Sequence, residues 1–367
     1  MTAPSRPLIA LAAGGTGGHV FPAVAVAEAL AHRGADTMVM TDRRGARLFT
    51  GTSFSVLPAG SLFQLGLIRK IWAALQLGIG VVMALAMLRR RRPAAMVGFG
   101  GYPSFAPMLA ARLTGIPAVV HEQNVHLGRA NHLLARWCGH LALSWKGTRN
   151  LPDKVMHFVA GMPVRSAFFE IDELPDEDRE ALELTIVGGS LGATVFATMV
   201  PDALAKLDPA LGARLRVTQQ CRAEQVNILQ ARYHKIGIDA EIRTFFDDMP
   251  DMFAKSDLVI SRAGASSVAE LAASGRPAIL IPFAGAMDDH QTANARQLEA
   301  AGGGICLAEA ELDAAALAAR ITTFLSDLPT LAAMGRGGRG LAAADAADTI
   351  ASYALDLAAS GGSRSAR

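Results

Sequence analysis

Three short segments carry residue types at spacings that suit anion binding and proton transfer. The first is Gly14-Gly15-Thr16-Gly17-Gly18-His19. Glycines let a backbone approach a phosphate closely, and a helix starting just after them offers free N–H groups and a positive dipole end. His19 closes that loop with an imidazole that titrates near neutral pH, as a general base must. The second segment is Arg262-Ala263-Gly264-Ala265-Ser266-Ser267-Val268-Ala269-Glu270. Its small residues place a helix N-terminus near Ala265–Ser267, facing a diphosphate, with Arg262 as a further cation for a leaving group. Glu270, one turn in, suits a ribose diol. The same Ser267 and Glu270, at i and i+3, equally fit a capping box. The third segment, His121-Glu122-Gln123-Asn124, offers Glu122 as a rival base or as a partner that orients His19. His121 beside it reads as a core histidine with its ring satisfied.

These segments sit where strands end. Leu8–Ala12 is a short apolar run before the first glycine loop, and the apolar, Ala-rich Val20–Leu30 follows it as a helix. Leu184–Val187 precedes a second loop, Gly188-Gly189-Ser190-Leu191-Gly192-Ala193. A third glycine cluster, Gly98–Ser104, again follows a strand-like run. Short apolar runs alternate with helical stretches at Thr37–Met40, Ala94–Gly98 and Ala118–His121, then at Leu215–Thr218, Leu258–Ser261 and Ala278–Pro282. Alternating βα units imply parallel sheets with helices on both faces. The fold expected is therefore α/β: two Rossmann-like, doubly wound domains facing a cleft. The boundaries read as 1–161 and 162–359, with a Pro- and acid-rich linker over Gly161–Glu183 and a disordered tail at 360–367. The glycine loops match neither GxGxxG nor GxxxxGKS, which argues against NAD and P-loop nucleotides. Taken singly, each is equally a packing turn.

Composition narrows the class. The 367 residues are 51% hydrophobic and 19% charged, which excludes a disordered chain. Cys138, Cys221 and Cys306 are too scattered for a disulfide framework or a zinc knuckle, and a reducing cytosol fits them. The apolar run at Leu8–Ala13 is too short and Gly-flanked for a secretory signal. Net charge is only +2, yet residues 1–161 hold 17 Lys+Arg against 5 Asp+Glu, and residues 162–367 hold 18 against 28. Such asymmetry points to a polyanionic partner for the first half. Stacking aromatics are not interleaved with the basic residues, which disfavours nucleic acid. Instead Arg69-Lys70 and Arg89–Arg92 flank the apolar run Ile71–Leu88. As a helix it would be about 27 Å long, marginal against a hydrocarbon core of about 30 Å. A membrane span, a buried core helix and an interfacial helix on an anionic surface all remain open. Asp176-Glu177-Asp178 is formally a DxD, but it lies in an acidic, solvated run. No metal and no cofactor is inferred.

The segments GGTGGH (14–19), GFGGYPS (98–104), HEQN (121–124), PVR (163–165), GGSLGA (188–193), SRAGASSVAE (261–270) and DDHQTANA (288–295) occur in one order over residues 8–305. Together they resemble the MurG family, the UDP-N-acetylglucosamine:undecaprenyl-diphospho-muramoylpentapeptide N-acetylglucosaminyltransferases of peptidoglycan synthesis. The resemblance implies a GT-B fold. It implies a first domain that meets a lipid-linked muramoylpentapeptide and a second that binds UDP-N-acetylglucosamine. It implies inverting transfer to a sugar C4 hydroxyl, and a peripheral place on the cytoplasmic face of the inner membrane among other cell-wall synthesis proteins. By similarity, Ser190 and Ala265-Ser266-Ser267-Val268-Ala269-Glu270 bind the nucleotide diphosphate and ribose. Thr16, Gly17, Gly18, Asn124, Arg165 and Gln291 also fall on donor-binding positions. Three residues depart from the pattern: Leu191 stands where Gln is frequent, Met162 replaces Asn before PVR, and His290 replaces the first of two glutamines. The rival readings are a non-hydrolysing UDP-sugar epimerase, another GT-B lipid glycosyltransferase, or a membrane-bound nucleotide-sugar-binding scaffold.

Overall fold

The computed structural model describes residues 6–49, 53–60, 67–175, 177–189, 193–286 and 289–364. They form two compact units, Met1–Arg165 with Ala343–Arg367, and Ser166–Ala342.

The first unit is built on a seven-stranded sheet of β1 (Leu8–Ala12), β2 (Asp36–Thr41), β3 (Phe54–Val56), β4 (Ala95–Gly98), β5 (Ala118–Glu122), β6 (His140–Leu143) and β7 (Met156–Val159). The spatial order is β3-β2-β1-β4-β5-β6-β7, and every pairing is parallel. Its inner strands read as continuous apolar runs because both faces are covered. Successive residues of β1 serve opposite cores. Ile9 and Leu11 pack with the helix Gly17–His32, while Ala10 and Ala12 pack with Ala84, Leu88 and Met108 on the other face.

The first of these cores contains Ile350, Ala351 and Ala354 of the C-terminal helix Ala346–Arg364. Arg33 Nε donates to Asp348 Oδ1 at 2.9 Å beside it. The C-terminal helix thus completes the first unit, which corrects the expected boundary at 162–359. It also runs on to Arg364, through residues assigned by sequence to a disordered tail. The Gly161–Glu183 segment is no solvated linker either. Phe168, Ile171 and Leu174 are buried, and Arg276 Nη1 donates to the Asp172 carbonyl at 3.1 Å.

The second unit has a six-stranded parallel sheet of β8 (Leu182–Val187), β9 (Leu215–Gln220), β10 (Asp239–Arg243), β11 (Leu258–Ser261), β12 (Ala278–Leu280) and β13 (Gly304–Cys306). Its order is β10-β9-β8-β11-β12-β13. Both units are therefore doubly wound, as the alternation of elements predicts.

The apolar run Ile71–Leu88 lies in a helix, Leu67–Arg91. Ala73, Gly80, Ala84 and Leu88 form one buried stripe. Ala106, on the helix Gly101–Thr114, lies against the Gly80 position. The opposite face is apolar and exposed: Ile71 56%, Trp72 63%, Leu75 54%, Ile79 54% and Val82 66%. The core-helix reading fails on those exposures. The packed stripe ties the helix into the unit along its length.

Candidate active site

Open α/β sheets bind ligands beyond the carboxyl ends of their strands, where the strand order reverses. In the first unit the reversal lies between β1 and β4. Gly14–His19 leaves β1 there, and Gly98–Ser104 leaves β4. The helix after β1 starts at Gly17, earlier than the apolar pattern suggests, with Thr16 as N-cap. Gly17 and Gly18 are thus its first residues, and their amides belong to its N-terminus.

Two residues fix these loops. Asp42, just after β2, accepts from the amides of Gly15 and Gly45 through Oδ1, both at 2.8 Å. A Cβ at Gly14 would stand 2.7 Å from that oxygen and 2.8 Å from Pro103 Cβ, so only glycine lets the turn close. Ser104 Oγ lies 2.7 Å from both the Ala12 and the Gly100 carbonyls, fastening the β4 loop to β1. Gly101, at φ +68°, passes over the His19 ring. A Cβ there would lie 3.2 Å from Cδ2 and Nε2.

His19 is half-buried. Burial is the largest influence on its titration and holds it below the ordinary histidine value. The charge of Glu122, the Phe99 carbonyl, the Gln123 side chain and the charge of Asp42 oppose that shift in turn. The imidazole is therefore neutral at neutral pH, with two carboxylates near enough to favour the cation once it takes a proton. That is the electrostatic setting of a general base.

Glu122 is fully buried at the end of β5. Its Oε1 accepts from the Asn124 amide at 2.8 Å and from Asn124 Nδ2 at 3.0 Å. Its Oε2 accepts from the Gly128 amide at 3.0 Å and from Asn131 Nδ2 at 2.8 Å. Four donors leave this carboxylate no room to take a substrate proton. So engaged, Glu122 is a fixed charge that shapes its loop, and it acts on His19 through that charge. Asn124 is accordingly turned toward Glu122. His121 is buried and satisfied, as expected, and is pushed down to about 4, mainly by burial. Arg165 stacks its guanidinium over Phe21, 4.5 Å from the ring centroid, one turn into the helix Gly17–His32. Met162 is buried, and its sulfur lies 3.4 Å from Ser144 Oγ.

In the second unit the order reverses between β8 and β11. Ser190 and Leu191, after β8, lie outside the described residues. After β11, the helix Ala265–Ser274 is capped by Gly264, so Ser267 is already its third residue. The capping-box reading of Ser267 and Glu270 therefore falls, because neither residue is at the cap. Ala265, Ser266 and Ser267 supply the helix's first amides, Val268 and Ala269 are buried, and Glu270 is buried one turn further in. Arg262 corrects another expectation. Its Nη1 donates to the Ile281 carbonyl at 3.1 Å, the Pro282 carbonyl at 3.0 Å and Glu309 Oε2 at 2.7 Å. Phe196 and Phe283 flank the guanidinium, with centroids at 5.0 and 5.4 Å. So engaged, Arg262 clamps the strand ends rather than reaching for a leaving group. Gln291 Oε1 accepts from the Phe283 amide at 2.9 Å, and His290 opens the helix His290–Ala300. Of the DxD residues, Asp176 lies outside the described residues, and Asp178 pairs with Arg214 at 2.5 Å.

Sequence reading missed Asp42, Gln123, Asn131 and Asn294. Asp42 carried a signal, an acid directly after a strand. Asn294 Nδ2 donates to the Ala263 carbonyl at 3.3 Å across 31 residues, and no local pattern announces such a bond.

Residues 9–142 match the glycosyltransferase family 28 N-terminal domain and residues 183–350 its C-terminal domain. A protein of Granulibacter bethesdensis is 46% identical over 96% of this chain and 95% of its own length. One of Rhodospirillum rubrum is 47% identical over 94% of this chain and 90% of its own. Both are named UDP-N-acetylglucosamine–N-acetylmuramyl-(pentapeptide) pyrophosphoryl-undecaprenol N-acetylglucosamine transferase. The crystal structure of Acinetobacter baumannii MurG superposes with a TM-score of 0.75 at 29% identity, covering 95% of this chain and 99% of that one. The S. aureus MnaA–UDP structure, at 11% identity and a TM-score of 0.66, covers 96% of this chain and 97% of its own, and shares the fold alone.

Proposed function

We propose that this chain, which belongs to the family of UDP-N-acetylglucosamine–N-acetylmuramyl-(pentapeptide) pyrophosphoryl-undecaprenol N-acetylglucosamine transferases, makes lipid II. It transfers N-acetylglucosamine from UDP to the C4 hydroxyl of undecaprenyl-diphospho-N-acetylmuramoyl-pentapeptide. The His19 imidazole takes the hydroxyl proton as the oxygen attacks C1. The bond from C1 to the diphosphate breaks with its electron pair, and UDP leaves, inverting the anomeric centre. The observation that carries the assignment of the base is a half-buried imidazole at the switch point of β1 and β4, neutral by burial, beside the charges of Asp42 and Glu122.

The second unit takes the donor. The first amides of the helix Ala265–Ser274 and its positive dipole end stabilise the departing diphosphate. Glu270 accepts from the ribose. Ser190, Gln291, Asn124, Arg165, Thr16, Gly17 and Gly18 complete the donor contacts, as the family resemblance implies. The first unit meets the lipid-linked acceptor. Its exposed face on the helix Leu67–Arg91, ending in the exposed Arg89–Arg92, supports docking on the anionic cytoplasmic surface of the inner membrane without crossing it. The deciding experiment incubates the protein with labelled UDP-N-acetylglucosamine and a lipid-diphospho-muramoylpentapeptide. Label must enter the lipid and must not yield an epimer when the acceptor is left out.

A further inference from the structure

β12 lies between β11 and β13, and one residue from each neighbour reaches over the loop that leaves it. Arg262 directly follows β11, and Glu309 follows β13 in the one-turn helix Glu309–Glu311. Arg262 Nη1 meets the carbonyls of Ile281 and Pro282, at the end of β12, and Glu309 Oε2 at 2.7 Å. The same Glu309 oxygen accepts from the Ala284 amide at 3.3 Å. One carboxylate oxygen thus serves both a buried guanidinium and the loop that this guanidinium holds. Both side chains are largely shielded from solvent, so salt screens the pair less than it would a surface pair.

The amides of this loop are accounted for one by one. The Ile281 amide donates to the Ser261 carbonyl at 2.8 Å. Pro282 has no amide hydrogen. The Phe283 amide donates to Gln291 Oε1 at 2.9 Å, and the Ala284 amide goes to Glu309. A backbone N–H can only donate, so it settles which end of the Gln291 side chain it meets. With its oxygen committed there, Gln291 has its Nε2 hydrogens left to give a ligand. Phe283 and Ala284 are adjacent, so a single residue step separates the amide that orients Gln291 from the amide that Glu309 holds.

We propose that Glu309 is a positioning residue for the donor site: by holding Arg262 and the Ala284 amide on one carboxylate oxygen, it sets the loop between β12 and the helix His290–Ala300 where the Phe283 amide fixes the Gln291 side chain. It acts through the loop and not on the substrate. This rests on the reading of Gln291 as a donor contact. Without the carboxylate the Ala284 amide loses its acceptor, Arg262 loses its counter-charge, and nothing ties the loop to the β13 side.

Kinetics and hydrogen exchange on the full chain test it. Glu309→Ala should raise the KM for UDP-N-acetylglucosamine about 5- to 20-fold and leave the acceptor KM within about twofold. Glu309→Gln keeps the shape and an acceptor oxygen, and should bring the donor KM back to within about threefold of native. In Glu309→Ala, exchange at the Phe283 and Ala284 amides should speed up at least about tenfold, while the β8 amides keep their native rates. On a Gln291→Ala background, Glu309→Ala should cost no more than about twofold in donor KM, because the residue it positions is gone. A native donor KM in folded Glu309→Ala, a rise in both KM values alike, or an undiminished loss on the Gln291→Ala background overturns the proposal. Should Glu309→Ala fail to fold, Glu309→Asp keeps the charge but is one methylene short. It should show the same rise in donor KM and the same faster exchange, and native values there overturn the proposal. A native donor KM in Gln291→Ala alone defeats the donor reading of Gln291, whereas native exchange in Glu309→Ala defeats the hold on the loop, so the two failures are told apart.

Discussion

Asp42 Oδ1 accepts from the Gly15 amide at 2.8 Å, so a single carboxylate oxygen after β2 holds the glycine loop that leaves β1. An acid at a strand end beside a glycine loop would ordinarily be sought as a ligand contact. Here it is spent on the loop itself, and its charge also favours protonated His19.

Asp42→Ala should loosen that loop. Each hydrogen bond to a charged acceptor contributes about 1.5–3 kcal/mol. Hydrogen exchange at the Gly15 amide should therefore speed up at least about tenfold. Asp42→Asn keeps an acceptor and should largely preserve protection, while lowering the proton affinity of His19. Unchanged Gly15 protection in folded Asp42→Ala would refute the anchor.

His19→Ala should lower kcat at least about 100-fold, with little change in donor KM. The base works neutral, so activity is present above the His19 pKa and falls as pH drops through it. Because burial holds that pKa below the ordinary value, the acid limb of the native pH–rate profile should lie below the usual histidine range. His19→Ala should abolish the limb. A loss confined to acceptor KM would instead assign His19 to an acceptor phosphate.

Glu270→Ala should weaken UDP binding by about 10- to 100-fold in calorimetry, for the loss of a hydrogen bond to a charged acceptor. Since Gly264 and not Ser267 caps this helix, the substitution removes no capping box and the fold should survive. Native affinity in a folded variant would exclude Glu270 from the ribose.

His121 makes a prediction about stability. Burial is the main cause of its low value, the like charge of His19 adds to it, and the Gly161 carbonyl opposes it. An unfolded histidine binds its proton near 6.5, and the folded one only near 4. Between those values the unfolded chain binds more protons, so stability falls as pH falls. The contribution, up to about 3 kcal/mol, is complete above the unfolded value and lost below the folded one. An NMR titration should find this ring neutral in the folded protein at pH 5, and half-protonation near 6.5 would contradict it.

Vesicle co-sedimentation checks the membrane face. Binding should need anionic lipid, weaken with salt, and drop when Arg89–Arg92 become Ser, each basic residue contributing about 1 kcal/mol near the surface. Trp72→Ser should weaken binding even at low salt, because that ring is 63% exposed. Release only by detergent, never by salt, would restore the spanning reading.

Much of this protein is local and was therefore legible. A strand buried on both faces must be apolar, a loop that closes beside another backbone must be glycine, and a helix following it must start with free amides. Residues 8–12, 14–19, 98–104 and 258–270 show each pattern in adjacent letters, and the family resemblance rests on them. What folding alone decided is which partner each residue meets. The helix Ala346–Arg364 has the same apolar spacing whichever sheet it covers, and only the open face beside Ile9 and Leu11 assigned it to the first unit. Arg262 is a cation in either role, but the carbonyls of Ile281 and Pro282 and the carboxylate of Glu309 claimed it. Glu122 is an acid in either role, but four donors made it a fixed charge.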